Sequence, residues 1–100
     1  MTNVAVIGKE SHLSIFQMKE GYWVTGRWAL TRPGGIKDVS TLVGGMVSVH
    51  THQDSVSYMQ GEIVSVFPMG DNRYGICFKA EFNNPVHGFT LPWNRELSFY

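Results

Sequence analysis

The stretch Leu42-Val43-Gly44-Gly45-Met46-Val47-Ser48-Val49-His50, followed by Ser57-Tyr58-Met59-Gln60-Gly61-Glu62-Ile63-Val64-Ser65-Val66, decides how this chain is read. Paired glycines stop an apolar turn, and the residues after them alternate, Val47 and Val49 against Ser48 and His50. The second run is apolar and β-branched from Glu62 to Phe67. Together they predict the end of a short helix, a glycine turn, a strand that delivers a histidine, a loop and a returning strand.

Downstream, Tyr74, Ile76, Phe78, Ala80 and Phe82 share one face of a further strand, and Gly75, Cys77, Lys79 and Glu81 share the other. Pro68-Met69-Gly70-Asp71-Asn72 between the two runs has the residues that a hairpin connection of that length requires. Further strands are predicted at Val4 to Ile7, Leu13 to Met18, Tyr22 to Leu30, Met46 to Thr51 and Val86 to Leu91. One short α-helix is predicted over about residues 38–43, with Asp38 as cap, Val39, Leu42 and Val43 as its apolar stripe and Gly44 as its stop. Arg32-Pro33-Gly34-Gly35 reads as a loop. The pattern predicts a mostly β fold, a small β barrel or roll of about six to seven strands with that one helix.

Length and composition set the outer bounds. With 100 residues, 43% of them hydrophobic, residues 1–100 suffice for one domain with one core. Eight basic side chains balance eight acidic ones, so no general attraction for a polyanion exists and any contact with nucleic acid must be local. Charged residues make up only 16% of the chain, which favours self-association, and a homodimer is expected. The opening Met1-Thr2-Asn3-Val4-Ala5-Val6-Ile7-Gly8-Lys9 lacks a basic leader, and its apolar run is too short for a signal or a membrane span. A soluble, cytoplasmic protein is expected. Cys77 is the single cysteine, so there is no internal disulfide and no cysteine-based zinc site within one chain.

His50-Thr51-His52-Gln53-Asp54 is the first candidate for chemistry. If the strand persists, alternation puts His50, His52 and Asp54 on one side, and a His-x-His pair can bring two imidazoles to one metal, with Asp54, Glu62 or His87 as a third ligand. Without a metal, His50 and His52 read as polar residues of an edge strand. The spacing resembles the start of the metallo-β-lactamase motif, but Ser55 stands where its last histidine belongs, and that fold needs roughly twice this length. Gly44, His50 and His52 also resemble the opening of the first cupin motif, with Val56 or Ser57 in place of the family's glutamate. That resemblance implies a metal-dependent enzyme or metal-binding protein using His50 and His52.

A different resemblance covers roughly residues 21 to 96. Gly21-Tyr22-Trp23, Leu42-Val43-Gly44-Gly45, His50, Ser57-Tyr58, Gly61, Ile63, Arg73, Phe78, Trp93 and Glu96 follow the order seen in small bacterial single-domain proteins, some carried on mobile gene cassettes. It brings no established activity with it. In general shape the chain is also similar to the PUA-like class, whose EVE and ASCH branches recognise modified bases or RNA.

The aromatic set is what such binding needs. Trp23, Trp28, Trp93, Tyr22 and Tyr58 include residues near turns, where ring faces stack on bases or enclose small ligands. His50, Ser57, Arg73 and Glu96 are the polar groups available to orient a ligand. The alternative is that Trp23 and Trp93 fill the core and Glu96 pairs with Arg73 or Arg95. Gly8-Lys9 fails as a phosphate loop, since Asn3 and Glu10 stand where glycine and a hydroxyl residue are needed. Cys77 has no specified partner, and no catalytic residues are assigned.

The leading expectation is therefore a binding module without cofactor, holding a small molecule, nucleotide or modified base at Trp23, His50, Ser57, Tyr58, Arg73, Trp93 and Glu96. The alternatives are the cupin-like metal protein and a protein–protein interaction domain.

Overall fold

The computed structural model describes residues 2–8, 15–31 and 35–100. Its strands are β1 (Val4–Ile7), β2 (Ile15–Lys19), β3 (Tyr22–Trp28), β4 (Met46–His50), β5 (Met59–Pro68), β6 (Tyr74–Glu81) and β7 (Leu97–Phe99). They form one seven-stranded sheet in the order β2-β3-β6-β5-β4-β1-β7. Neighbours are antiparallel except β1 and β4, which run parallel with Val4 opposite Val47 and Ile7 opposite His50. β2 and β7 do not pair, so the expected barrel is an open mixed sheet. Its extents of 31 × 30 × 28 Å are nearly equal, because the twisted sheet coils on itself instead of lying flat.

The β5–β6 hairpin forms as the sequence predicts. Gly70, Asp71 and Asn72 all take positive φ, the conformation that these residues tolerate best, and Met69 N–H donates to the Arg73 carbonyl across the turn at 2.8 Å. A bulge between Ile63 and Ser65 leaves Val64 unpaired and exposed. Ile76 and Phe78 are wholly buried, and Tyr74 and Ala80 pack against the same core, together with Ile63, Val47, Val49, Val4, Val6 and Leu97. Phe82, expected on that face, lies beyond the end of β6 and is 61% exposed.

Gly61 is needed where β5 meets β6. A Cβ there would stand 1.8 Å from the Lys79 carbonyl oxygen, so only glycine permits this backbone approach.

Two expected elements differ. Residues 38–43 form a 3-10 turn, Val39–Leu42, and no α-helix occurs among the described residues. Asp38 caps the turn as expected: its Oδ1 accepts from Ser40 N–H at 3.0 Å and Ser40 Oγ–H at 2.7 Å. These bonds hold the Asp38 carboxyl below its ordinary value, the side-chain bond first. Four residues that include β-branched Val39 and Thr41 are too few to propagate an α-helix, and extended Val43 and then Gly44 at positive φ follow.

Residues 86–91 are not a strand. They hold an isolated bridge, Val56 to His87, and a 3-10 turn, Gly88–Thr90. The seventh strand is β7, whose Leu97 and Phe99 share the core face with Val6 and Val4 of β1. Leu13 at the start of the second predicted strand, the Arg32-Pro33-Gly34 part of the predicted loop, and Lys9 and Glu10 of the phosphate-loop comparison lie outside the described residues. Among the described residues no helix is long and apolar enough to cross a membrane.

Register also organises the other face of the sheet. Ser98, Ala5, Ser48 and Gln60 stand side by side across β7, β1, β4 and β5, and none is more than 1% exposed. The row is buried, and His50 lies on the same face of β4, two residues beyond Ser48.

Candidate functional site

β4 lies between β1 and β5, so His50 belongs to an interior strand, not to an edge. Its ring is wholly buried. Nδ1 lies 3.0 Å from the Ser55 carbonyl oxygen and Nε2 lies 2.9 Å from Ser48 Oγ. A carbonyl only accepts, so Nδ1 carries the proton, and in the neutral ring Nε2 accepts the Ser48 hydroxyl. Burial pushes the His50 pKa below its ordinary value, opposed by the smaller effect of the Ser55 bond, so the ring is neutral at neutral pH.

The Ser55 carbonyl accepts a second bond, from Gly88 N–H at 2.9 Å. Gly88's own carbonyl accepts Trp93 Nε1–H at 2.7 Å, and the Trp93 ring meets the His50 ring edge-on at 5.4 Å. His50, Ser55, Gly88 and Trp93 thus close a circuit that fastens an irregular segment to the end of β4. Gly88 has no room for a side chain, because a Cβ would stand 2.4 Å from the Gln53 carbonyl oxygen and 2.6 Å from that of Ser55.

The neighbouring polar residues are engaged in the same way. Ser57 Oγ–H donates to Gln60 Oε1 at 2.6 Å and accepts Val86 N–H at 2.8 Å, while Gln60 Nε2 donates to the Glu81 carbonyl at 2.9 Å. The Tyr58 hydroxyl donates to the Gly8 carbonyl. Glu96 contributes its backbone, its carbonyl accepting Ile7 N–H at 2.9 Å. His50, Ser57, Tyr58, Trp93 and Glu96 therefore gather at one end of the sheet.

Trp23 and Arg73 do not join them. Trp23, on β3, sits opposite Phe78, in a row that crosses Ile63 and reaches Gly45, just before β4 and five residues before His50, or about 16 Å along the chain. It is half-buried against the core. Arg73 is exposed at the far end of the β5–β6 hairpin, where Nη1 donates to the Arg27 carbonyl at 3.1 Å. Among the described residues the ion pair is Arg27 with Asp71 at 3.6 Å, and Glu96 pairs with neither Arg73 nor Arg95.

The strand does not persist beyond His50, which separates the two histidines. Residues 51–55 turn, His52 is exposed, and its backbone is tied to Ser55 Oγ. No group of three His, Cys, Asp or Glu side chains able to hold a metal exists among the described residues.

An open depression lies elsewhere, on the face opposite the core. It has a volume of about 380 Å³ and is lined by Met46, Gly61, Glu62, Lys79, Ala80 and Glu81. Cross-strand register builds it: Met46 stands opposite Glu62, and Glu62 opposite Lys79. One ammonium is thus flanked by two carboxylates next to the buried Gln60 and Ser48. Sequence reasoning named Glu62 as a possible third metal ligand but did not bring these residues together, because their meeting depends on the pairing of β4, β5 and β6. Ser48 was legible, since alternation puts it on the His50 face. Nothing local marked Ser55 or Gly88.

Comparison with protein-family models, with curated proteins and with solved structures found no match.

Proposed function

We propose that the protein is a non-catalytic binding module that takes a small organic ligand in the depression formed by Met46, Gly61, Glu62, Lys79, Ala80 and Glu81. The observation that carries this reading is the contrast in availability. His50, Ser57, Tyr58 and Trp93 spend their polar atoms on internal hydrogen bonds, whereas Glu62 and Lys79 are exposed on an open concave surface.

The lining has one ammonium and two carboxylates, of which Glu81 Oε1 already accepts from Asn84 N–H and Nδ2–H at 3.0 Å, so it disfavours a phosphate and favours a neutral or cationic molecule rich in N–H donors. A free base or nucleoside suits it better than a nucleotide. Titrating ¹⁵N-labelled protein with adenosine, cytidine and free amino acids tests the reading. Shifts at Met46, Gly61, Lys79 and Glu81 that weaken in Lys79→Ala and Glu62→Gln are expected. Shifts confined to Trp23 or Trp93, or none with any probe, overturn it.

The homodimer remains part of this proposal, supported by the low charged fraction of 16%. Native mass spectrometry reads it directly, and a monomer at micromolar concentration overturns it.

A further inference from the structure

We propose that His50 is an acid-sensitive latch: its neutral ring holds the turn at residues 51–55 and the segment at residues 86–93 onto the end of β4, and protonation releases that corner before the rest of the sheet unfolds.

The geometry carries the argument. The ring uses one tautomer, donating from Nδ1 to the Ser55 carbonyl and accepting at Nε2 from Ser48. Taking up a proton turns Nε2 into a second donor, so Ser48 must turn its hydroxyl hydrogen away inside a wholly buried site. The added charge has no close counter-charge among the described residues. The titratable side chains on the elements packed around the ring, His52 and Asp54 in the turn and His87, Arg95 and Glu96 in the C-terminal segment, are all exposed. The Tyr58 hydroxyl is occupied by the Gly8 carbonyl, and Ser48 and Trp93 bring no charge.

The circuit explains why release is local. While it stays buried the charged ring still donates from Nδ1 to Ser55, so release requires the ring to turn out to water. Gly88 N–H shares that carbonyl and Trp93 Nε1–H bonds Gly88, so the ring's departure loosens both attachments. The β5–β6 hairpin is bonded through its own ladder and core and does not depend on this ring. Burial lowers the folded-state pKa of His50, in the direction that the latch requires.

Hydrogen exchange of the wild-type protein between pH 7.5 and 5, corrected for intrinsic rates, tests the latch at Trp93 Nε1–H and Gly88 N–H. Opening takes up one proton, so the opening constant at these sites rises about tenfold per pH unit below about 6.5, until the lowered folded value is reached. Amides of β5 and β6 keep their protection over that range. In His50→Gln, which replaces the imidazole with a non-titrating donor and acceptor, the pH slope disappears. Equal slopes at the corner and the hairpin in the wild-type protein overturn the proposal, and so does a slope that survives in a folded His50→Gln variant.

Discussion

The β5–β6 hairpin and the His50 corner hold the same small sheet together by opposite means. In the hairpin, consecutive residues repeat one local rule, and Ile63, Ile76 and Phe78 bury apolar surface without a polar side-chain bond between them. In the corner, four residues from three separate stretches meet once, and polar bonds through His50, Ser55, Gly88 and Trp93 take the place of a ladder. Apolar burial is non-directional and tolerates small displacements. A buried polar circuit requires every donor to keep its acceptor, so it fails as a unit. The hairpin should therefore set global stability, and the corner should set local opening.

Phe78→Ala should break the comparison most severely. It empties a wholly buried aromatic site and is expected to cost about 3–5 kcal/mol, lowering the urea midpoint and the protection of hairpin and corner together. If hairpin protection stayed unchanged in this variant, the hairpin would not set global stability as described.

Gly88→Ala comes next. Its Cβ would collide with the Gln53 and Ser55 carbonyls, and a cost of about 1–3 kcal/mol is expected, with Trp93 fluorescence shifting to the red while β5 and β6 amides remain protected. Unchanged Trp93 emission would mean that Gly88 does not tie this segment down.

His50→Ala leaves Ser48 and the Ser55 carbonyl short of a partner and is expected to cost about 1–3 kcal/mol at pH 7.5. The difference from wild type should depend on pH in one direction. Above about pH 6.5 the ring is neutral both folded and unfolded, so the interaction is fully present. As pH falls from there toward the lowered folded pKa, the unfolded chain takes up a proton that the folded chain refuses, and the wild-type advantage shrinks. Urea midpoints of both proteins at pH 7.5 and 5 measure this, and a constant difference would contradict it.

Arg27→Ala provides the smallest test. Its 3.6 Å contact with Asp71 is on the surface, so thermal stability should change by less than about 0.5 kcal/mol. A larger loss would show that the hairpin tip contributes more than its ladder predicts.

Much of the sheet was legible because strand formation is written in neighbouring residues. Val4–Ile7 matched in full, and Tyr74–Glu81 and Met46–His50 each ended one residue earlier than the alternation implied. Asp38 was recognisable as a cap, although the turn after it is too short to be an α-helix. β7 escaped notice because three residues are too few to display a period. Residues 86–91 misled because Val86 and Leu91 suggest a strand, while the bonding of Gly88 is decided by carbonyls more than thirty residues earlier in the chain.

By itself the sequence determined that this chain is mostly β, where most of its strands lie, and how the central hairpin turns, because alternation and turn chemistry act over a few bonds. The tertiary structure alone decided that His50 is an interior, bonded ring and not an edge ligand, that Trp23 and Arg73 stand apart from it, and that Met46, Glu62 and Lys79 share a depression. Each of these depends on which strands pair and in what register. Pairing is set by burying all the apolar faces at once, and no short stretch of sequence carries that condition.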